Sequence, residues 1–261
     1  MISLPVNVFD VFNDITYFDE PHKYYDDEGI PYISTTTLIH EYLPEFDGEL
    51  HSENYAIKHN LTQNQVKYAW EFLNYYGTRK GSAAHDYAEN LLINKVFNPY
   101  DVNQIIGDYG YDIISGGFKR SKKIIDKFYS DIKGKLIPVR TELVVFDRDF
   151  GIAGMLDLLV FNVKTGKLEI WDYKTNKNIT TRNDFGRTLS GCLSHIDDCD
   201  LEIYSLQLSI YKKIIEKNTG LELGDSYLVW VNESNDSYKV IKTNNRQLEV
   251  KLMINDIKKA T

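Results

Sequence analysis

Gly154-Met-Leu-Asp157 opens an apolar run, Lys164-Thr165-Gly166 interrupts it, and Leu168-Glu-Ile-Trp-Asp172-Tyr-Lys174-Thr175 runs on from there. Together they predict a β-hairpin. Side chains alternate faces along a strand, so Leu168, Ile170, Asp172 and Lys174 share one face of the second strand. On the first strand Asp157, Leu159 and Phe161 share a face in the same way. A loop of two or four residues sets Asp157 opposite either Asp172 or Lys174, on the same side of the sheet. Directly opposed Cβ atoms lie about 5 Å apart and diagonal ones about 7–8 Å. Either separation lets two carboxylates hold one Mg²⁺, whose ligand distances are about 2.0–2.1 Å. The charged end continues a core-like face, which is costly unless a cation or water compensates it. The competing reading is a plain hairpin whose charged end reaches solvent.

A chain of 261 residues with 43% hydrophobic content can bury one substantial core, with room for an appended lobe. No window approaches the ~18 uninterrupted apolar residues of a membrane span. The N-terminal stretch lacks a basic region followed by an apolar one, so the expectation is a soluble, cytoplasmic protein without a membrane partner. Cys192 and Cys199 flank His195, short of the four ligands of a structural zinc site or an ordinary iron–sulfur cluster. The net charge of −8 runs against phosphate binding, which normally draws on Lys and Arg. Basic residues nevertheless cluster at Lys119-Arg120-Ser-Lys122-Lys123 with Lys127, at Lys133 and Lys135, and at Arg79-Lys80. These clusters are either a positive channel on an acidic protein or the solvated face of an amphipathic helix. Aromatic rings stack on unpaired bases, and Tyr75 and Tyr76 are candidates for that role.

Along the chain, Ile15–Phe18, Lys23–Tyr25 and Pro31–Ser34 predict short strands, the first two joined by a turn at Asp19-Glu-Pro-His22. Thr35 to Thr37 offer N-caps for a short helix through Tyr42. Residues 52–76 predict a helix with Thr62 as an internal restart and cap. A new helix is expected beyond Gly77, with Ser82 able to cap its start and with His85 and Glu89, four apart, on one face. Further helices are expected over residues 118–129, over 201–217 ending at Gly220, and from Asn244 or Asn245 to the end. Strands are expected at 141–146, 227–231 and 238–241, with a long loop over 176–200. The pattern predicts an α/β domain around a mixed sheet flanked by helices. It divides into an N-terminal hairpin and helical region, 1–76, packed on a core of 77–261.

Four short motifs in this order resemble the PD-(D/E)XK nuclease superfamily, in its RecB-like exonuclease branch. They are Gly77-Thr78…His85…Glu89, Gly154-Met-Leu-Asp157, Asp172-Tyr-Lys174-Thr175 and Gln207-Leu-Ser-Ile-Tyr211. Glu142 matches an acid one strand ahead of the second motif. His22-Lys23-Tyr24 with Pro31-Tyr-Ile-Ser34-Thr35-Thr36 is similar to the opening of phage exonucleases related to the mitochondrial genome maintenance exonuclease. The proline before Asp157 is absent, as is usual in that branch, and so are the four cysteines of its iron–sulfur members.

The resemblance implies a restriction-endonuclease-like core and a Mg²⁺- or Mn²⁺-dependent exonuclease acting on single-stranded DNA or DNA ends. It implies work in replication, recombination or repair, with a partner protein there and a host cytoplasm as location if the gene is viral. Carried over residue by residue, Asp157, Asp172 and His85 would hold the metal, with Glu142 and the Tyr173 carbonyl as further ligands. Lys174 would orient water or neutralise charge on the phosphate, helped by Gln207. Glu89, Thr175, Tyr211, Arg79, Lys80 and Tyr76 would support these groups or touch DNA. Two alternatives share the motifs: a structure-specific endonuclease or nickase, and a non-catalytic DNA-binding module on the same fold.

Overall fold

The computed structural model describes residues 6–18, 23–92 and 99–260. The expected turn over Asp19–His22, and with it His22 of the opening motif, lies outside the described residues. The fold is α/β, a mixed sheet between two helical layers. Among the described residues the strands are β1 (Ile15–Phe18), β2 (Lys23–Asp26), β3 (Pro31–Ser34), β4 (Leu136–Asp147), β5 (Ile152–Asn162), β6 (Lys167–Lys174), β7 (Leu223–Trp230) and β8 (Lys239–Lys242). The helices are α1 (Thr35–His40), α2 (Gly48–His59), α3 (Gln63–Leu92), α4 (Pro99–Ile106), α5 (Tyr111–Ile132), α6 (Asp200–Thr219) and α7 (Gln247–Ala260).

The β5–β6 hairpin turns on the four residues 163–166. This pairs Leu158 with Trp171 and Leu159 with Ile170, and carries Asp157 to the position facing Asp172. Gly166 supplies the positive φ of 69° that closes the loop. β6 then pairs in parallel with β7, and β7 antiparallel with β8. On its other edge β5 is covered along its length by β4.

Three strands thus meet β5, and two of them must share one edge. Ile152 and Ala153, already paired with β4, also pair in parallel with Ile33 and Ser34 of β3. Leu158 to Asn162 pair on that same edge with β6. Between these contacts, Gly154 to Asp157 keep β4 on one edge but have no strand paired on this one among the described residues. The sheet is open there, and the GxxD motif lines the opening. Face alternation also slips at this point. Leu156 packs in the core under α6, whereas Leu158 packs in the core under α3 and α5. The expected common face of Asp157, Leu159 and Phe161 therefore holds only for Leu159 and Phe161, which pack toward α6.

One core joins α1, α6 and α7 to the sheet, where Leu206, Ile210 and Ile214 of α6 are buried as its periodicity predicts. Losing one such side chain typically costs about 2–5 kcal/mol. The opposite core holds Ala83, Ala84 and Tyr87 of α3 with Phe118, Ile125 and Phe128 of α5.

Several boundaries differ from expectation. Thr62 does begin a helix, through a reciprocal cap: its backbone N–H donates to Gln65 Oε1 (2.8 Å) and its Oγ1 accepts from Gln65 N–H (3.2 Å). That helix, α3, then runs unbroken through Gly77 and Gly81 to Leu92, so Ser82 caps nothing and the expected division at residue 76 falls inside it. A helical Gly costs about 1 kcal/mol relative to Ala, and burial of Ala83, Ala84, Tyr87 and Ala88 outweighs it. At α1 the cap is Ser34, whose Oγ accepts from Thr37 N–H at 3.0 Å, rather than a threonine of the run. α5 begins seven residues before the expected start at 118. No helix among the described residues is long and apolar enough to cross a membrane.

Candidate metal centre

The opening in the sheet leads into a cleft of about 740 Å³ that both helical layers reach. From α3 come His85 and, one turn on, Glu89; from α6 come Gln207 and Tyr211; from the strands come Glu142, Asp157, Asp172 and Lys174. An intact sheet would separate α3 from α6. The missing strand pairing beside Gly154–Asp157 is what lets side chains of the two layers meet.

His85 Nδ1 lies 3.3 Å from Asp157 Oδ2. The same Asp157 oxygen accepts the backbone N–H of Tyr173 at 2.7 Å, taking the place a backbone carbonyl would hold in a continued ladder. Glu142 faces Asp157 from β4, since the register is kept at Thr141–Leu158 and Leu143–Leu156 on either side. Its φ of 46° is left-handed, a conformation costing a non-glycine residue about 1–3 kcal/mol. One ligand atom each of His85, Glu142 and Asp157 lie within 4.8 Å of one another, a spacing that would admit a metal ion.

Asp172 stands beside this trio rather than within it. It is buried, and its Oδ2 forms an ion pair with Lys174 Nζ at 2.6 Å. Lys174 donates to Gln207 Oε1 at 3.3 Å and sits 4.5 Å from the centre of the Tyr204 ring. Gln207 Nε2 in turn donates to the buried Tyr211 hydroxyl at 3.0 Å. The ammonium is thereby fixed on three sides. Tyr204 escaped the sequence reading, although it stands three residues before Gln207 and hence on the same helical face.

The charges are strongly shifted. Burial, then the Asp157 carboxylate, push Glu142 up to about 8. The same two causes raise Asp172 to about 6 against the pull of Lys174. Burial also works to raise Asp157, but His85, Lys174 and the Tyr173 N–H hold it below its ordinary range. Burial opposes charge on His85, and Asp157, with Asp172 and Glu142, overrides it and lifts the imidazole to about 9. The protein alone holds a proton where acids crowd. Carboxylates crowded around one imidazole, with ligand atoms of His85, Glu142 and Asp157 within 4.8 Å of one another, fit a site that would take a cation.

The three raised values, at Glu142, Asp172 and His85, act on stability with the same sign. Glu142 keeps its proton in the fold up to about 8 and in the unfolded chain only to about 4.5, so stability falls as pH rises between them. His85 contributes stability fully below about 6.5, and this is lost as pH climbs through about 9. In chelator, the melting temperature is expected to fall from pH 5 to pH 9, and a saturating divalent ion should flatten that fall. Glu142→Gln, which removes the ionising group, is expected to stabilise the metal-free protein at pH 8 by about 1–2 kcal/mol, several degrees in Tm. It should also weaken metal binding. A thermal melt in which this variant is no more stable than the parent at pH 8 would contradict the placement of Glu142.

The remaining candidates divide. Glu89 lines the cleft and adds to the negative field on Glu142. The Tyr173 ring packs edge-on against His85, with its hydroxyl against that of Tyr129. Arg79 lines the cleft but donates to the Ile105 carbonyl at 3.1 Å. Lys80 is not a surface cation: it is 4% exposed, donates to the Thr175 carbonyl at 3.2 Å and pairs with Glu233 at 3.6 Å. The helix, unbroken where a new start was expected beyond Gly77, turns it inward. Tyr76 donates to Glu233 at 2.6 Å and lines a neighbouring cavity, not the metal cleft. Thr175 Oγ1 would lie 3.2 Å from a Cβ on Gly81, a tight contact. Away from the cleft, His195 Nε2 lies 3.3 Å from Glu249, and Cys199 immediately precedes α6.

Fold and site together define an α/β protein with a mixed sheet, opened at one edge around a candidate metal-binding trio. The sequence matches no protein-family model and no curated protein. Among solved structures it is similar to one described as a putative exonuclease from Eubacterium rectale, with 17% identity and a TM-score of 0.35. That match covers 53% of this chain and 50% of the other. It is also similar to the protein SSO0001, at 18% identity and a TM-score of 0.29, covering 62% of this chain and 65% of that one. Likenesses this distant leave the functional reading to the residues themselves.

Proposed function

We propose that this protein is a metal-dependent DNA exonuclease of the PD-(D/E)XK type, in the RecB-like branch. One observation carries the reading. His85, Glu142 and Asp157 stand within 4.8 Å as a ligand group, in the cleft where Asp172 faces Asp157 and holds Lys174. The residues that would hold the ion are these three with Asp172 and the Tyr173 carbonyl. Carboxylates and a carbonyl suit Mg²⁺, and one imidazole moves the preference toward Mn²⁺. When bound, such an ion supplies Lewis-acid polarisation of a phosphodiester oxygen and lowers the pKa of water.

The protein's own groups supply the rest. Lys174, held by Asp172 and Gln207, presents an ammonium that can orient the attacking water or donate to the phosphate as its charge grows. Gln207, held in turn by Tyr211, fixes the direction of that ammonium. His85 is charged in the protein alone and must release its proton to act as a ligand, so metal affinity should rise with pH.

The test is incubation of the full chain, with Mg²⁺ and separately with Mn²⁺, on end-labelled linear DNA and on a closed single-stranded circle. The expected result is loss of the linear substrates with the circle untouched. A cut circle would make the protein an endonuclease. Intact DNA of both kinds in both metals would overturn the nuclease reading.

A further inference from the structure

Next to the metal cleft lies a second cavity, of about 770 Å³, and the two share Gly77 and Thr78 of α3 as common wall. One side of the second cavity is apolar, from Phe72, Leu73 and Ile113, and the other is polar, including Lys177 and Ser234. Leu73 and Ile113 are 61% and 59% exposed, large apolar side chains that the fold itself leaves in water. The floor is rigid and charged. Glu233 accepts from Tyr76 at 2.6 Å and lies 3.6 Å from both Lys80 and Arg120. Gly117 makes room for this network, since a Cβ there would fall 2.4 Å from Glu233 Oε2 and from the Tyr76 hydroxyl.

Arg120 belongs to α5, where Lys119, Lys123 and Lys127 stand at four-residue spacing, all exposed. None of the three makes an ion pair among the described residues, and neither does Lys177. At about 1.5 Å per residue the stripe extends about 12 Å along the helix. On a chain of net charge −8, Lys177 in the wall and a lysine stripe on the helix that carries Ile113 and Arg120 give this side of the protein cations without ion-pair partners among the described residues.

We infer that this second cavity receives an unpaired base of the DNA strand whose phosphate lies in the metal cleft, so that the substrate is a single-stranded end. The inference rests on the nuclease reading and specifies its substrate. A base offers an apolar face to Leu73, Ile113 and Phe72 and polar edges to the facing wall. The volume falls within the range of about 300–1,000 Å³ typical of sites that enclose one small molecule. It admits a base or nucleotide and excludes a paired duplex. The lysine stripe of α5 then meets the phosphates of the same strand, a contact indifferent to whether bases are present.

Fluorescence anisotropy on the full chain, in EDTA so that nothing is cut, tests this with three labelled probes. These are a single-stranded oligonucleotide, the same strand with abasic residues over its terminal nucleotides, and a blunt duplex. The intact strand is expected to bind about tenfold or more tighter than either of the others. Leu73→Ala with Ile113→Ala, both at exposed positions, should remove most of that advantage while leaving the abasic strand unaffected. Lys119→Glu with Lys123→Glu should weaken intact and abasic strands alike and reduce the salt dependence. Equal binding of intact and abasic strands, or equal losses on both from the Leu73/Ile113 change, would overturn the base cavity. If DNA is degraded under those circumstances, the nuclease reading stands without it. If no probe binds and no DNA is cut in either metal, both fall together.

Discussion

Lys174→Ala is expected to slow phosphodiester cleavage about 10²–10³-fold while the metal-binding trio survives; Asp157→Asn is expected to remove metal binding and cleavage together. The difference follows from where the two side chains stand. Lys174 touches Asp172, Gln207 and the Tyr204 ring, and none of His85, Glu142 or Asp157 depends on it for a hydrogen bond. Its loss removes a fixed positive donor from the cleft, and deleting one such donor typically costs that much in rate. Asp157 by contrast holds His85 at 3.3 Å and the Tyr173 N–H at 2.7 Å, and it faces Glu142. An amide there takes away the charge that keeps His85 protonated in the empty protein and that would ligate the ion in the loaded one. Cleavage rates paired with Mn²⁺ titration by electron paramagnetic resonance separate the cases. Were Lys174→Ala to cost as much metal affinity as Asp157→Asn, the lysine would belong to the ion-binding group and not to the phosphate.

The hairpin at the heart of the site was legible because two constraints agree there. A short loop fixes the register, and alternation fixes which residues share a face, except at Asp157, where it slips. What the sequence left open was the loop length, and residues 163–166 resolve it in favour of Asp157 facing Asp172. Helix periodicity likewise exposed α6 with Gln207 and Tyr211 on it, and the four-residue spacing placed His85 and Glu89 together. The opening in the sheet had no such signature. It arises because β3, more than 110 residues before β5, takes up two positions on an edge that β6 also needs, and no local pattern encodes that competition. The left-handed backbone at Glu142 is hidden for a similar reason, since nothing in a glutamate announces it. Gly77 and Gly81 misled in the opposite direction. Their local cost signals a break, but tertiary packing of the flanking alanines carries α3 through, and this turns Lys80 inward to Glu233.

Gly154→Ala is expected to cost the protein about 3 kcal/mol or more in stability, with the loss partly recovered by shortening Tyr211. A methyl at residue 154 would lie 2.4 Å from Tyr211 Cε1 and 2.8 Å from Thr35 Oγ1, inside van der Waals contact on two sides. Neither neighbour can easily yield. Tyr211 is buried and accepts from Gln207, and Thr35 Oγ1 donates to the Ala153 carbonyl at 3.1 Å on the strand itself. Overpacking a fixed site of this kind typically costs about 1–3 kcal/mol, and two obstacles place it at the upper end. Gly154, first residue of its motif, and Tyr211, last of the Gln207–Tyr211 motif, are therefore a single packing unit: the glycine is small so that the tyrosine can brace Gln207, and through it Lys174. Tyr211→Ala alone should lower stability by opening a cavity and leave Gln207 without its acceptor. Combined with Gly154→Ala it should fall short of the summed losses by about 1–2 kcal/mol, because one substitution removes the obstacle to the other. Urea denaturation of the four proteins closes the cycle. Strict additivity would mean that the strand and the helix do not meet at this point, and the path from Gly154 to Lys174 would be broken.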